Sequence, residues 1–373
     1  VIATSCQGPS DPAFRVRLEL PGHGLVAHGV RLELLPLFSA DQARRFRSAG
    51  AAGKLRVLAA ARRRLLGELR EIGAAAPSVL VQRHVDLTPS LALERAAAAS
   101  RRLIYDVDDA IWLAGRPSGG HPLGALKGAA RKVRWLAERA EHVIAGNEIL
   151  AERLSRHSNA VTVVPSLVDP ASCALRRHEQ GEVLTLGWVG SPTTAPYLHD
   201  IAPVLERYGR RSTRPVRLLV VGGSAPRLDA VRVEERTWSP AAEREALAET
   251  DIGLMPLRDT PWTRGKCAYK ALQYMACGIP AVVDDVGISA ATVGGAGCVA
   301  AGAAQWLDAL DALAEDAGLR ARLGELGRRR IEEEFSPGRW LPILAAILRG
   351  DPLPTPSSDD RRVAPQPDPG PRP

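Results

Sequence analysis

Two doubly wound α/β domains facing each other across a cleft are the fold this sequence predicts, on three observations. Short apolar strand-like runs alternate with helical patterns along the chain, the rhythm of parallel sheets covered by helices on both faces. A length of 373 residues exceeds one compact domain of ordinary size and suits two. The stretch from Pro165 to Gly181 reads as a connector, which places the domains at 1–168 and 182–335 around a linker at 169–181.

Composition supports this and narrows the function. An apolar fraction of 45% can fill two cores, and a charged fraction of 24% is that of a soluble protein. A net charge of +7 with a pI near 9.4 suits anionic ligands or an anionic membrane surface, and does not by itself mean nucleic acid, which is not expected as a partner. No run of about 18 apolar residues suggests a membrane span, and the first residues do not read as a signal peptide. The five cysteines are odd in number and scattered, with no C-x-x-C pair. They read as reduced thiols in a cytoplasmic protein. Cys267, beside Lys266, is either a packing residue or a partly ionised thiol.

Taken in order, Val1 to Thr4 reads as a strand, followed by a loop containing Gly8, Pro9 and Pro12. A helix is predicted within Leu18 to Val30, ending near Gly29, and a strand over Val30 to Leu35. Residues 44–73 set Arg44, Arg45, Arg47, Lys54, Arg56, Arg62, Arg63, Arg64 and Arg70 among leucines. This basic amphipathic helical region suits an anionic membrane or a lipid-phosphate substrate, or is simply a solvated face. Strands follow at Ser78–Gln82, Arg102–Val107, His142–Ala145 and Val161–Val164, with a helix over 124–140. In the second half strands are predicted at Thr185–Val189, Arg217–Val221, Val233–Thr237, Ile252–Met255, Ala281–Val283 and Cys298–Ala300. Helices at 303–315 and 317–334 close that half, and 336–350 is a last helix. The Pro-rich stretch 351–373 cannot make a core and reads as disordered.

The candidate chemistry lies at strand ends, where such sheets bind ligands. In WTRGKCAYKALQYMACGIPAVVDD, Arg264 and Lys266 precede a helix with an apolar face at Ala268, Ala271, Leu272, Met275 and Ala276. Free N–H groups, the positive end of the helix dipole and two cations make a seat for a diphosphate; the alternative is solvated charge on a packing helix. Asp106, Asp108 and Asp109 could hold Mg²⁺, split acid and base roles, or cap a turn, and a cleft-lining role without a metal is favoured. His84 is a candidate base or a structural histidine, and Asn147 a substrate contact or a turn residue. The turn GWVGSPTT offers Gly190 and Ser191 as a phosphate cradle, although it is neither a P-loop nor a G-x-G-x-x-G turn. Gly222, Gly223 and Ser224 make a second glycine-lined strand end, either a ligand contact or a plain turn.

Assembled, YDVDDAIW (105–112), AGNEIL (145–150), GWVGSPTTAPYL (187–198), DIGLMPL (251–257) and RGKCAYKALQYMACGIP (264–280) resemble a bacterial branch of the family 4 retaining glycosyltransferases. The resemblance spans roughly 78–340 and implies the GT-B fold: two Rossmann-like domains, the first taking the acceptor and the second the nucleotide-sugar donor. It implies hexosyltransferase-like activity (EC 2.4) with retention of configuration, without metal or cofactor. The acceptor would be a polysaccharide, a glycolipid or a natural product, and the location cytoplasmic, with docking on the inner membrane face as a further option. Carried over by position, Lys266 and Arg264 neutralise the leaving diphosphate, Gly190 and Ser191 contact phosphate, and Gln273 takes the place of the second Glu of the E-x7-E motif. Lys270 and Gly222 join the donor set, and His84 and Asp108 the catalytic one. Gly265 stands where the first Glu would be, so the acidic pair is absent. That departure motivates a rival reading, a non-catalytic sugar-nucleotide-binding or scaffold protein of the same fold. A third is a Mg²⁺-dependent phosphotransferase using the aspartate cluster.

Overall fold

A computed structural model describes residues 1–9, 11–73, 75–113 and 128–354. Among them are two six-stranded sheets, every pairing parallel. The first runs β2-β1-β3-β4-β5-β6, from β1 (Ile2–Ser5), β2 (Glu33–Pro36), β3 (Val79–Gln82), β4 (Leu103–Val107), β5 (His142–Ala145) and β6 (Val161–Val163). The second runs β12-β11-β10-β7-β8-β9, from β7 (Leu184–Val189), β8 (Val216–Val221), β9 (Arg232–Arg236), β10 (Ile252–Met255), β11 (Ala281–Asp284) and β12 (Cys298–Ala300). The inner strands are buried end to end because helices cover both faces, which is why they read as mainly apolar runs rather than alternating ones. Each sheet accordingly has two cores, one per face.

Strand order reverses between β1 and β3 and between β7 and β10. There the connections depart to opposite faces and leave a crevice at the carboxyl ends. The strand ends beside those reversals, Arg83 after β3 and Val189 and Met255 closing β7 and β10, line one common cleft.

The first helix starts earlier than its sequence pattern predicts. Asp11 accepts the Ala13 N–H at 2.9 Å and Pro12 takes the first helical position, so the residues that suggested a loop are a helix start. A wider π turn at Arg15–Glu19 follows, before Leu20–Leu25 and a 3₁₀ turn ending at Gly29. The basic region is two helices, Ala40–Ser48 and Ala51–Gly73, with Ala61, Leu65 and Leu69 buried at four-residue spacing. The helix expected over 124–140 spans Ala129–Arg139; residues 124–127 lie outside the described residues, as does the Pro-rich stretch from 355.

The last helix, Pro337–Arg349, crosses back to the first domain. Leu341, Leu344 and Leu348 pack among Phe14, Leu18, Leu25, Leu80 and Ile104, and the Leu348 carbonyl accepts from Ser78 Oγ at 2.8 Å. The chain therefore joins the two sheets twice, through 165–181 and through this return. No described helix is long and apolar enough to cross a membrane.

Candidate functional site

The cleft between the sheets has a volume of about 390 Å³. Its second-domain wall starts at Thr260, which caps the short helix Pro261–Arg264 by exchanging hydrogen bonds with Thr263. Gly265 ends that helix, and the chain passes through Ala268 at φ 47° into the helix Tyr269–Ala276. Among the described residues no side chain caps this helix, so no side-chain acceptor takes up its first N–H groups at the positive end of its dipole. Lys266 and Lys270 flank that opening and both line the cleft. Lys266 Nζ is 3.5 Å from Asp109 and 5.7 Å from the Trp262 ring. Lys270 Nζ lies 5.3 Å from the Trp188 ring. Desolvation, and then the charge of Lys266, lower the Lys270 pKa to about 7.

Arg264 does not join them. It pairs with Asp259 at 2.6 Å on the exposed outer side of the loop, its side chain 58% exposed. The Pro261–Arg264 turn points Arg264 away while the left-handed Ala268 brings Lys270 in, so the cation pair of the cleft is Lys266 with Lys270.

The aspartate cluster is divided between two places. Asp106 is buried against Arg17, whose guanidinium also donates to the Val164 and Pro165 carbonyls at 2.8 and 2.9 Å. Asp108 faces the cleft and accepts from Arg83 at 2.6 and 2.9 Å and from Gln82 Nε2 at 3.0 Å. Burial alone would raise its pKa, but the Arg83 charge and hydrogen bonds outweigh it and hold Asp108 below the usual carboxylate range. Asp109 lies between Arg83, at 3.7 Å, and Lys266. These are salt links, not the converging oxygen shell that a hard cation takes. Arg83 and Ala268 are the non-glycine residues with positive φ among those described, and both line the cleft. Such backbone costs about 1–3 kcal/mol per residue; here it aims one cation and one helix end at the same space.

Gly190 and Ser191 line the cleft, but the Gly190 N–H already donates to the Val221 carbonyl at 2.9 Å and the Ser191 N–H to Thr194 Oγ1 at 3.2 Å. What Gly190 contributes is room, since a Cβ there would lie 2.2 Å from the Trp188 ring. The polar contribution of this turn is its hydroxyls, with Ser191 Oγ 2.9 Å from Thr193 Oγ1. Gly222 is a left-handed turn behind Gly190, outside the cleft lining. Gln273 lines the cleft and donates to Glu243 at 2.8 Å.

Asn147 is buried and joins the domains rather than facing the cleft. Its Oδ1 accepts the Leu150 N–H at 2.9 Å, and its Nδ2 donates to the Gly265 and Lys266 carbonyls at 3.1 and 3.3 Å. Gly146 permits that approach, because a Cβ there would lie 2.5 Å from Cys267 Sγ. Cys267 donates to the Asp108 carbonyl at 3.1 Å and burial pushes its thiol pKa up, which makes it a packing residue and not a thiolate. His84 is buried beside β3 and does not line the cleft.

Asp109 lines the cleft as expected, and Arg83, Arg15, Trp238 and Glu243 line it without having been assigned to it from sequence. Arg83 carried a signal in its place just past a strand end. Arg15, Trp238 and Glu243 meet only in space: the Arg15 guanidinium, from the first domain, lies 4.4 Å from the Trp238 ring and 3.8 Å from Glu243, both in the second.

Comparison with known proteins identifies the second half. Residues 183–316 match the family model of glycosyl transferases group 1. No curated protein matches the chain. Sucrose-phosphate synthase (tll1590) from Thermosynechococcus elongatus superposes with a TM-score of 0.66 at 14% identity, over 90% of this chain and 94% of that one. HepE of Anabaena, in complex with UDP-glucose, gives 0.59 at 13% identity over 90% and 96%. WaaG, a glycosyltransferase involved in lipopolysaccharide biosynthesis, gives 0.58 at 14% over 94% and 100%. The fold is GT-B.

Proposed function

We propose that this chain, whose residues 183–316 are a glycosyl transferases group 1 domain, moves a sugar from a nucleoside-diphosphate sugar to a hydroxyl of a polysaccharide, glycolipid or natural-product acceptor, with retention of configuration. The observation that carries the reading is the seating of Lys266 and Lys270 at one uncapped helix start inside the interdomain cleft. As the bond from the anomeric carbon to the diphosphate oxygen breaks, negative charge grows on the leaving phosphate. Two fixed cations and free N–H groups stabilise that charge more than the ground state, which is how electrostatics accelerates transfer. The first-domain wall at Arg83, Asp108 and Asp109 faces the same space and is where the acceptor hydroxyl would be held. The HepE structure in complex with UDP-glucose supports the donor class.

Incubating the protein with UDP-, GDP- and ADP-sugars and a lysate of acceptors, with products read by mass spectrometry, tests this. One donor is expected to release its nucleoside diphosphate together with a hexose added to an acceptor. Binding without release or transfer across the panel would favour the sugar-nucleotide-binding scaffold instead.

The acceptor side of the reading includes an anionic membrane surface. Lys54, Arg56, Arg63 and Arg70 are exposed on the helix Ala51–Gly73, and Leu55 among them is 69% exposed. The protein is expected to sediment with phosphatidylglycerol vesicles, to be released as salt shortens the Debye length, and to ignore phosphatidylcholine. Equal binding to both lipids, or binding unchanged when Lys54, Arg56 and Arg63 become Glu, would remove the membrane from the reading.

A further inference from the structure

Beyond the lysines, the cleft contains a second polar corner that the transfer chemistry does not use. Gln273 lies three residues after Lys270 on the helix Tyr269–Ala276. The two therefore share a face, with Gln273 about 4.5 Å further along the axis. Gln273 Nε2 donates to Glu243 Oε1 at 2.8 Å, and Trp238 Nε1 donates to Glu243 Oε2 at 2.7 Å. Arg15 approaches the same Oε2 at 3.8 Å. Glu243, Gln273, Trp238 and Arg15 all line the cleft, and the Glu243 side chain is 17% exposed.

Each carboxylate oxygen can accept about two hydrogen bonds. With one N–H on each, Glu243 is held in a fixed orientation and keeps acceptor capacity on both oxygens. A rigid pair of acceptors matches two adjacent hydroxyls. In a nucleoside diphosphate, adjacent hydroxyls occur on the ribose, next to the phosphate ester and so beside the lysine seat.

We propose that Glu243, oriented by Gln273 and Trp238, is the carboxylate that receives the vicinal ribose hydroxyls of the donor nucleotide. The assignment rests on the donor reading above. In this assignment Gln273 serves as a donor that fixes the carboxylate, and the acid is supplied by the helix Pro240–Glu249. The competing account is structural. Glu243 stands in the first turn of that helix, where negative charge favours the dipole, and its bonds to Trp238 and Gln273 would then only tie two helices together.

Calorimetry on the full chain separates these accounts. UDP, GDP and ADP, their 2′-deoxy and 3′-deoxy forms, and inorganic pyrophosphate are titrated into the protein, its E243Q variant and the exchange variant E243Q/Q273E. The parent protein is expected to bind the best ribonucleotide about tenfold or more tighter than either deoxy form, as a hydrogen bond to a charged group requires. E243Q is expected to lose that preference while keeping its affinity for pyrophosphate, and the exchange variant to regain it. An E243Q protein that melts like the parent and still prefers the ribonucleotide overturns the assignment. So does loss of pyrophosphate binding along with the nucleotides, which is the structural account. If the parent binds ribonucleotides without preference for either hydroxyl, the assignment fails and the donor reading stands. If it binds neither nucleotide nor pyrophosphate, the donor reading fails first.

Discussion

Replacing Lys266 by alanine is expected to lower kcat by about 10²–10³-fold, the usual cost of deleting one preorganised group that stabilises charge in the transition state. Donor affinity should fall much less, because the charge on the leaving phosphate is larger in the transition state than in the bound sugar nucleotide. The substitution leaves Asp109 facing the cleft, but Arg83, 3.7 Å away, still partners it, so the fold should tolerate the change. Arg264→Ala is the matched control. Its guanidinium is spent on exposed Asp259, and surface pairs of that kind contribute little, so its rate should remain within about twofold of the parent. Nucleoside-diphosphate release followed continuously reads both variants. A dead R264A protein beside an active K266A protein would mean that the leaving group sits elsewhere.

That contrast shows what could be read before the fold was seen. Strand positions were legible because strands buried on both faces leave short, mainly apolar runs without alternation, as in LIYDV and VLVQ. The Lys266 loop was legible because its motif is dense and local. Which of two cations two residues apart enters the cleft was not, since a four-residue helix and one left-handed alanine decide it. Asn147 and Gly222 read as ligand contacts because strand ends usually offer them, yet one clamps the Lys266 loop and the other forms a turn behind Gly190. The corner made by Arg15, Trp238 and Glu243 left no local trace. It arises from a π turn in the first domain meeting a strand end and a helix of the second, more than two hundred residues later. The return of Pro337–Arg349 to the first sheet is likewise a tertiary event, invisible to a helical pattern that records only an apolar face.

The other large effect concerns Lys270, and its sign follows from its pKa of about 7, well below the ordinary lysine value of 10.5. At pH 8 the side chain is mostly neutral in the empty cleft. A diphosphate favours its charged form, so binding takes up a proton. Donor affinity should therefore be greatest below pH 7 and fall as pH rises through and beyond it, by up to tenfold per unit. A sugar nucleotide is the right probe, because its diphosphate diester has no proton to exchange in that range. Lys270→Arg keeps its charge throughout and should flatten the profile, whereas Lys270→Ala should weaken binding at low pH and flatten it as well. Lys266 is the second cause of the depressed value, so in Lys266→Ala the fall in affinity should move to higher pH. Calorimetry in two buffers of different ionisation enthalpy measures the proton directly: uptake approaching one per donor at pH 8 in the parent, none in Lys270→Arg. A parent protein that binds its donor with no proton uptake between pH 6 and 9 would show that Lys270 does not face the diphosphate, and the seat would then rest on Lys266 and the helix start alone.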